Sequence, residues 1–399
     1  MDKLAIYGGK PVRDNKIYYG HQYIDDEDVN SVVEVLRSDF LTCGPKIHEL
    51  EQKLSDVTGI RYVSAVSNGT AALHVACMAA GIEPGDEVIV TPLSFAASAN
   101  CILYCGGVPV FADVKEDTYN IDPQEIEKLV TKKTKAVVVV DFTGQSAEMN
   151  EIKKICDRCN IILIEDAAHS LGTKYCGKSV GNIADMTTLS FHPVKTVTSG
   201  EGGAVLTNSE SLHKKINLAK AHGITHSQED MEVGSYEGPW YYEQIDLGYN
   251  YRMTDFQAAL LISQLNKLDF FSKRRKEISR KYDKAFSQLK GIILQKNIEE
   301  SDTTMHLYII QLNENVMKCS RREFFDAMSA EGVQCQVHYI PIYWFPYYQQ
   351  MGYMKGLCPK AEKIYKNCMS IPLYPAMTDK DVESVIVALE KVHDYYIKL

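Results

Sequence analysis

No apolar run in this chain approaches the length needed to cross a membrane. Residues 1–9, Met-Asp-Lys-Leu-Ala-Ile-Tyr-Gly-Gly, also lack the apolar core of a secretion signal, so the protein is expected in the cytoplasm. Positive charge is in deficit. The 43 Lys and Arg against 52 Asp and Glu give a formal charge of -9, which argues against nonspecific nucleic-acid binding but leaves room for an anionic small molecule in a locally positive pocket. A disulfide framework is missing too, because the 11 cysteines are odd in number and scattered, as expected of reduced thiols. The one CxxC, Cys156-Asp157-Arg158-Cys159, has no second pair and falls mid-way along a helix-like stretch from Asn150, so packing accounts for it and no metal site is expected. There is no internal repeat and no low-complexity tract.

What remains is an ordinary globular composition, 45% hydrophobic and 24% charged, over 399 residues, long enough for two packed units. Short apolar runs alternate with helical patterns: Glu87-Val88-Ile89-Val90 breaking at Pro92, Val108-Pro109-Val110-Phe111-Ala112-Asp113, and Ala136-Val137-Val138-Val139-Val140-Asp141. This alternation predicts an α/β fold with a mostly parallel sheet covered by helices, whose strand ends converge on one crevice.

Three stretches carry chemistry. In Ser190-Phe191-His192-Pro193-Val194-Lys195 a buried-looking run, residues 186–191, ends in a loop that sets a lysine beside a serine, a histidine and a glycine-rich segment. Lysine amines form Schiff bases with carbonyl compounds, pyridoxal phosphate among them, when the site lowers their affinity for protons. Ile161-Ile162-Leu163-Ile164-Glu165-Asp166 is a strand ending in carboxylates, and Asp166 is placed to meet a pyridine nitrogen and keep it protonated. Asn68-Gly69-Thr70 opens an alanine-rich helix closing at Gly81, and the free N–H groups at Gly69 and Thr70 suit a phosphate. Taken singly, the lysine equally reads as a surface charge, the aspartate as a helix-capping acid, and the turn as a plain capped helix; the ordered set is far more specific.

The order Asn68-Gly69-Thr70-Ala71-Ala72-Leu73, Glu165-Asp166-Ala167-Ala168-His169-Ser170, Ser190-Phe191-His192-Pro193-Val194-Lys195 and Gly248-Tyr249-Asn250-Tyr251-Arg252 resembles the DegT/DnrJ/EryC1/StrS family of pyridoxal-phosphate sugar aminotransferases over nearly the whole chain. Phe191-His192-Pro193-Val194-Lys195, Gly238-Pro239-Trp240-Tyr241-Tyr242-Glu243 and Val337-His338-Tyr339-Ile340-Pro341 are similar to its pseudaminic-acid branch. The resemblance implies the type I fold of pyridoxal-phosphate aminotransferases, with Lys195 and Asp166 catalytic and with Gly69, Thr70, Phe95, Asp166, His169, Ser190, Lys195 and Asn250 on the cofactor. Phe95 would stack on its ring, Ser190 would donate to its phosphate, and Asn250 would reach the phosphate of a neighbouring subunit, making a homodimer with shared sites. Tyr19, Phe40, Leu41, Thr42, His338 and Tyr339 are the implied sugar contacts. As residues alone, Phe95 also reads as core, Asn250 as a turn former, the loop 39–45 as a helix connection, and His338 and Tyr339 as strand residues.

The expected organisation is an aromatic arm at 1–23, a large cofactor-binding domain at 24–260, a linking helix at 261–290 within a helical pattern running from 254 to 289, and a small C-terminal α/β domain at 291–399. Asp25-Asp26-Glu27 should open a helix through Leu36, the stretch 222–246 should be an irregular functional loop or interface, and a helix should start near Ser320. The implied reaction moves an amino group in two stages, from glutamate to a UDP-linked 4-keto-6-deoxy-N-acetyl sugar. Lys195 argues against the family's dehydratases, which carry histidine there. A dTDP- or GDP-linked sugar, a 3-keto position, or a pyridoxal-containing regulatory protein without turnover are the rival readings, because the motifs handle the cofactor and not the sugar.

Overall fold

The computed structural model describes residues 3–233 and 237–397, so residues 1–2 of the expected arm and 234–236 of the expected irregular stretch lie outside the described residues. Its centre is a seven-stranded sheet in the order β1-β9-β8-β5-β4-β2-β3, formed by β1 (Tyr62–Val66), β2 (Glu87–Val90), β3 (Val108–Phe111), β4 (Thr134–Val140), β5 (Ile162–Asp166), β8 (Met186–Ser190) and β9 (Gly203–Thr207). The pairs β3/β2, β2/β4, β4/β5 and β5/β8 are parallel, while β9 runs antiparallel to both β8 and β1. All strands but β9 therefore point the same way, and their carboxyl ends share one edge. Val88, Val137, Val138, Val139 and Leu163 are wholly buried, which is why these strands read as unbroken apolar runs rather than alternating ones. Two short strands, β6 (Lys174–Tyr175) and β7 (Lys178–Ser179), form a hairpin beside the sheet, and β13 (Ser301–Asp302) pairs antiparallel with β6.

Helices cover the sheet. α1 (Asp26–Leu36) starts where expected, with Asp25 and Asp28 in a reciprocal capping box. α2 (Pro45–Thr58) takes Pro45 in its first turn and ends on Gly59 at a φ of 73°, a left-handed conformation that favours glycine. α3 (Gly69–Ala79) is capped by Asn68, whose side chain accepts from the Ala71 N–H, and nearly all of it is buried against the sheet. α4 (Ala97–Tyr104), α5 (Pro123–Leu129), α6 (Met149–Cys159) and α7 (Glu210–Lys220) complete this unit. The CxxC stands at the carboxyl end of α6 rather than its middle, with Cys156 packed in the core and Cys159 exposed.

The helical pattern expected over 254–289 is two helices, α8 (Asp255–Leu265) and α9 (Leu268–Phe286), broken at Asn266-Lys267. Within the stretch 222–246 two short strands, β10 (Ile224–Thr225) and β11 (Glu243–Gln244), pair antiparallel. Toward the C-terminus a second antiparallel sheet, β12 (Ile292–Leu294), β14 (Tyr308–Leu312) and β15 (Cys368–Ile371), packs against α10 (Arg321–Ala330) and shares one apolar core with the last long helix (Asp379–Tyr396), which lies on α9 and α10. Ser320 caps α10 with a capping box to Glu323, as the sequence predicts. Residues 333–339 contribute only isolated bridges, Val333 to Ile17 and Gln336 to Ser370, instead of a continuous strand. The N-terminal arm packs on this unit: Leu4 and Ile17 are buried with Ile278, Tyr282 and Phe286 of α9.

Candidate active site

The carboxyl ends of the parallel strands open on a cavity of about 750 Å³, a size suited to a small ligand. Ten of the residues singled out from sequence line it: Tyr19, Gly69, Thr70, Phe95, Asp166, His169, Ser190, Lys195, His338 and Tyr339. Phe40, Leu41, Thr42 and Asn250 do not; all four are exposed, and Asn250 forms a bridge to Ala221.

At one end α3 meets β8. A Cβ placed on Gly69 would lie 2.7 Å from the Cβ of Ser190 and 2.9 Å from its hydroxyl oxygen, so glycine alone lets the helix start come this close to the strand end. Asn68 caps only the N–H of Ala71, and the first-turn N–H groups of Gly69 and Thr70 have no partner inside the helix. Amide donors, a hydroxyl and the positive end of a helix dipole thus sit together, a donor set that fits a phosphate.

At the other end β5 delivers Asp166, 4% exposed. One of its carboxylate oxygens accepts from the Ser98 hydroxyl at 2.7 Å, the other from the Ala168 N–H at 3.2 Å. Burial raises its proton affinity, opposed by Ser98, the Ala168 amide and the charge of Lys195. Lys195 lies on the loop after β8, its N–H donating to the carbonyl of His192 at 2.9 Å. Burial pushes its amine down to about 8, although Asp166 pulls the other way. An amine of this kind is partly unprotonated near neutrality and can act as nucleophile and base.

His169, His338 and aromatic rings form the remaining wall, with His306 behind His169. His169, His306 and His338 are held below the usual imidazole range, first by burial and then by neighbouring positive groups that include Lys195, with His338 pushed to about 3. All three are neutral, so they can hydrogen-bond without adding charge. Among the described residues the Nδ1 of His169 is buried without a hydrogen-bond partner, and its ring lies 4.3 Å from that of His306. The Tyr339 hydroxyl is 3.4 Å from His169 Nε2, and the Tyr339 ring meets Phe95 edge-on at 6.4 Å. Phe95 itself is 63% exposed over the opening.

A phosphate cradle, a buried carboxylate, a lysine of lowered proton affinity and an unpartnered imidazole edge in one cavity fit the phosphate, ring nitrogen, carbonyl and ring substituents of pyridoxal phosphate. Sequence reading missed Ser94 and Ser98, both buried at the site, and His306, which backs His169. A pair of serines four apart across a loop and helix start carries no periodic signal, and His306 is remote in sequence from every motif.

Comparison with known proteins agrees with this geometry. The family model described as the DegT/DnrJ/EryC1/StrS aminotransferase family matches residues 22–390. The chain is 40% identical over 382 residues to the spore coat polysaccharide biosynthesis protein SpsC of Bacillus subtilis, covering 95% of this chain and 98% of that protein. It is 38% identical over 388 residues to UDP-4-amino-4,6-dideoxy-N-acetyl-beta-L-altrosamine transaminase of Campylobacter jejuni, covering 95% and 99%. Among solved structures, PseC of Helicobacter pylori, an aminotransferase in the biosynthesis of pseudoaminic acid, superposes with a TM-score of 0.88 at 31% identity over 96% of this chain and 100% of that one.

Proposed function

Since the chain belongs to the DegT/DnrJ/EryC1/StrS aminotransferase family and keeps the lysine that the family's dehydratases replace, we propose that it moves an amino group from glutamate to the C4 keto carbon of a UDP-linked 4-keto-6-deoxy-N-acetyl sugar, as in pseudaminic acid biosynthesis. The observation that carries the reading is Lys195, whose amine is pushed down to about 8 in the same cavity as the buried Asp166. Lys195 Nζ takes the proton from the amino-bearing carbon of the donor and later returns one to C4 of the sugar. Asp166 would keep a proton at the ring nitrogen. Gly69, Thr70 and Ser190 would hold the phosphate, Phe95 would stack on the ring, and His169 would contact the cofactor. When bound, pyridoxal phosphate supplies a carbonyl that captures amines and a cationic ring that accepts the electron pair left by proton loss.

The same reading assigns the sugar nucleotide to Tyr19, Phe40, Leu41, Thr42, His338 and Tyr339, and makes the enzyme a cytoplasmic homodimer in which Asn250 reaches the phosphate in a second copy. The exposure of Asn250 and Phe95 in the single chain supports that assembly. It divides the chain into the arm 1–23, a cofactor domain 24–260, a linking segment 261–290 and a small domain 291–399. A second reading, another nucleotide sugar in the same reaction, is favoured by the spore coat polysaccharide relative, which is 40% identical. Incubation with glutamate and a panel of UDP-, dTDP- and GDP-linked keto sugars, followed by mass spectrometry, separates the two. Amination of UDP-2-acetamido-2,6-dideoxy-β-L-arabino-hexos-4-ulose alone supports the first, amination of a different sugar the second, and amination of none contradicts both.

A further inference from the structure

We propose that Ser98, backed by Ser94, is a positioning residue that fixes the charge and orientation of Asp166 toward the cofactor's ring nitrogen. The inference rests on the reading of Asp166 given above. Ser94 lies in the loop after β2 and Ser98 in the first turn of α4, and their exposures are 4% and 1%. The two hydroxyl oxygens are 2.8 Å apart, and Ser98 Oγ is 2.7 Å from Asp166 Oδ2.

The direction of this chain follows from chemistry. An ionised carboxylate can only accept, so the single hydroxyl proton of Ser98 points at Asp166. The bond between the serines must then be donated by Ser94. Each hydroxyl polarises the next, and a hydrogen bond ending on an ionised group in a dry site is stronger than a neutral one. Asp166 is thereby gripped from two elements, α4 through Ser98 and its own loop through the Ala168 N–H. Burial favours a protonated, neutral Asp166, and the hydroxyl opposes this. Without Ser98 the carboxylate becomes more basic, draws the shared proton away from the ring nitrogen and is free to turn. Ser94 is also chain neighbour to Phe95, so the loop that presents Phe95 at the opening is tied to Asp166 through Ser98.

The test uses the full-length, pyridoxal-phosphate-loaded protein and follows two quantities besides turnover: the pH midpoint of the bound cofactor's visible absorbance, and the cofactor's dissociation constant. Ser98→Ala is expected to raise the midpoint by about half a pH unit or more and to weaken cofactor binding about three- to tenfold. Ser98→Thr, which keeps the hydroxyl, should restore both, and Ser94→Ala should move them the same way by less. A midpoint and affinity unchanged in Ser98→Ala would overturn the inference, as would a Ser98→Ala protein that differs only in thermal stability. Asp166→Asn separates the two levels. If it disrupts binding and spectrum while Ser98→Ala does not, the inference alone falls; if it too leaves both unchanged, the role of Asp166 falls and takes the inference with it. Should Ser98→Ala not fold, Ser94→Ala decides, since an unchanged midpoint there also overturns the relay.

Discussion

Lys195 is held against its own chemistry. Burial lowers its amine to about 8, so the folded protein binds fewer protons than the unfolded chain between that pH and the ordinary lysine range near ~10.4. Stability of the cofactor-free protein should therefore rise as pH climbs through this window and be at its lowest, as far as this group decides it, below about 8. Lys195→Met should flatten that slope in chemical unfolding measured at several pH values; an identical slope in both proteins would argue that the amine is not desolvated. Lys195→Ala should lower turnover about a thousandfold or more. The lysine and Asp166 were legible because each follows a strand-like apolar run and the two occur in a fixed order with Asn68-Gly69-Thr70. Ser98 was not, since a small polar residue at a helix start reads as a cap, and only the fold brings it to a carboxylate 68 positions away.

At the level of elements, the cavity depends on how closely α3 approaches the strand ends. Gly69→Ala places a methyl 2.7 Å from Ser190 Cβ and should cost about 1–3 kcal/mol, with a measurable loss of pyridoxal phosphate affinity in fluorescence titration. Wild-type affinity in that variant would show that the helix start is not the phosphate site. The parallel strands could be read from their apolar runs, because burial on both faces leaves a continuous signal. The antiparallel direction of β9 could not: Gly-Ala-Val-Leu-Thr is buried throughout and would look the same in either orientation. The break between α8 and α9 was hidden for a similar reason. Asn266 and Lys267 are compatible with a helix, and Lys267 is drawn into ion pairs with Asp25 and Asp28, partners supplied by tertiary structure. Residues 333–339 have strand-like composition but find only single bridges, because their neighbours are the arm and one edge of β15.

Across the whole molecule, the arm connects the C-terminal unit to the cavity. Glu331, fully buried, accepts from the N–H of Ala5 at 2.8 Å and of Val12 at 3.0 Å and pairs with Lys391 at 2.9 Å, and the arm then continues to Tyr19 at the cavity wall. Glu331→Gln should cost about 1–3 kcal/mol in urea unfolding and raise the KM for the sugar nucleotide while leaving pyridoxal phosphate affinity unchanged. An unchanged KM would detach the arm from sugar binding. Mixing inactive Lys195→Ala and Asn250→Ala proteins should regenerate activity if sites are shared between copies, and active monomers in sedimentation experiments would rule sharing out. Transfer of nitrogen from glutamate to C4 of a UDP-linked sugar can be followed with 15N-labelled glutamate and UDP-2-acetamido-2,6-dideoxy-β-L-arabino-hexos-4-ulose. A 4-amino product bearing the label is expected with wild-type enzyme and is absent with Lys195→Ala. Recovery of the unchanged keto sugar from wild-type enzyme, with the label still in glutamate, would contradict it.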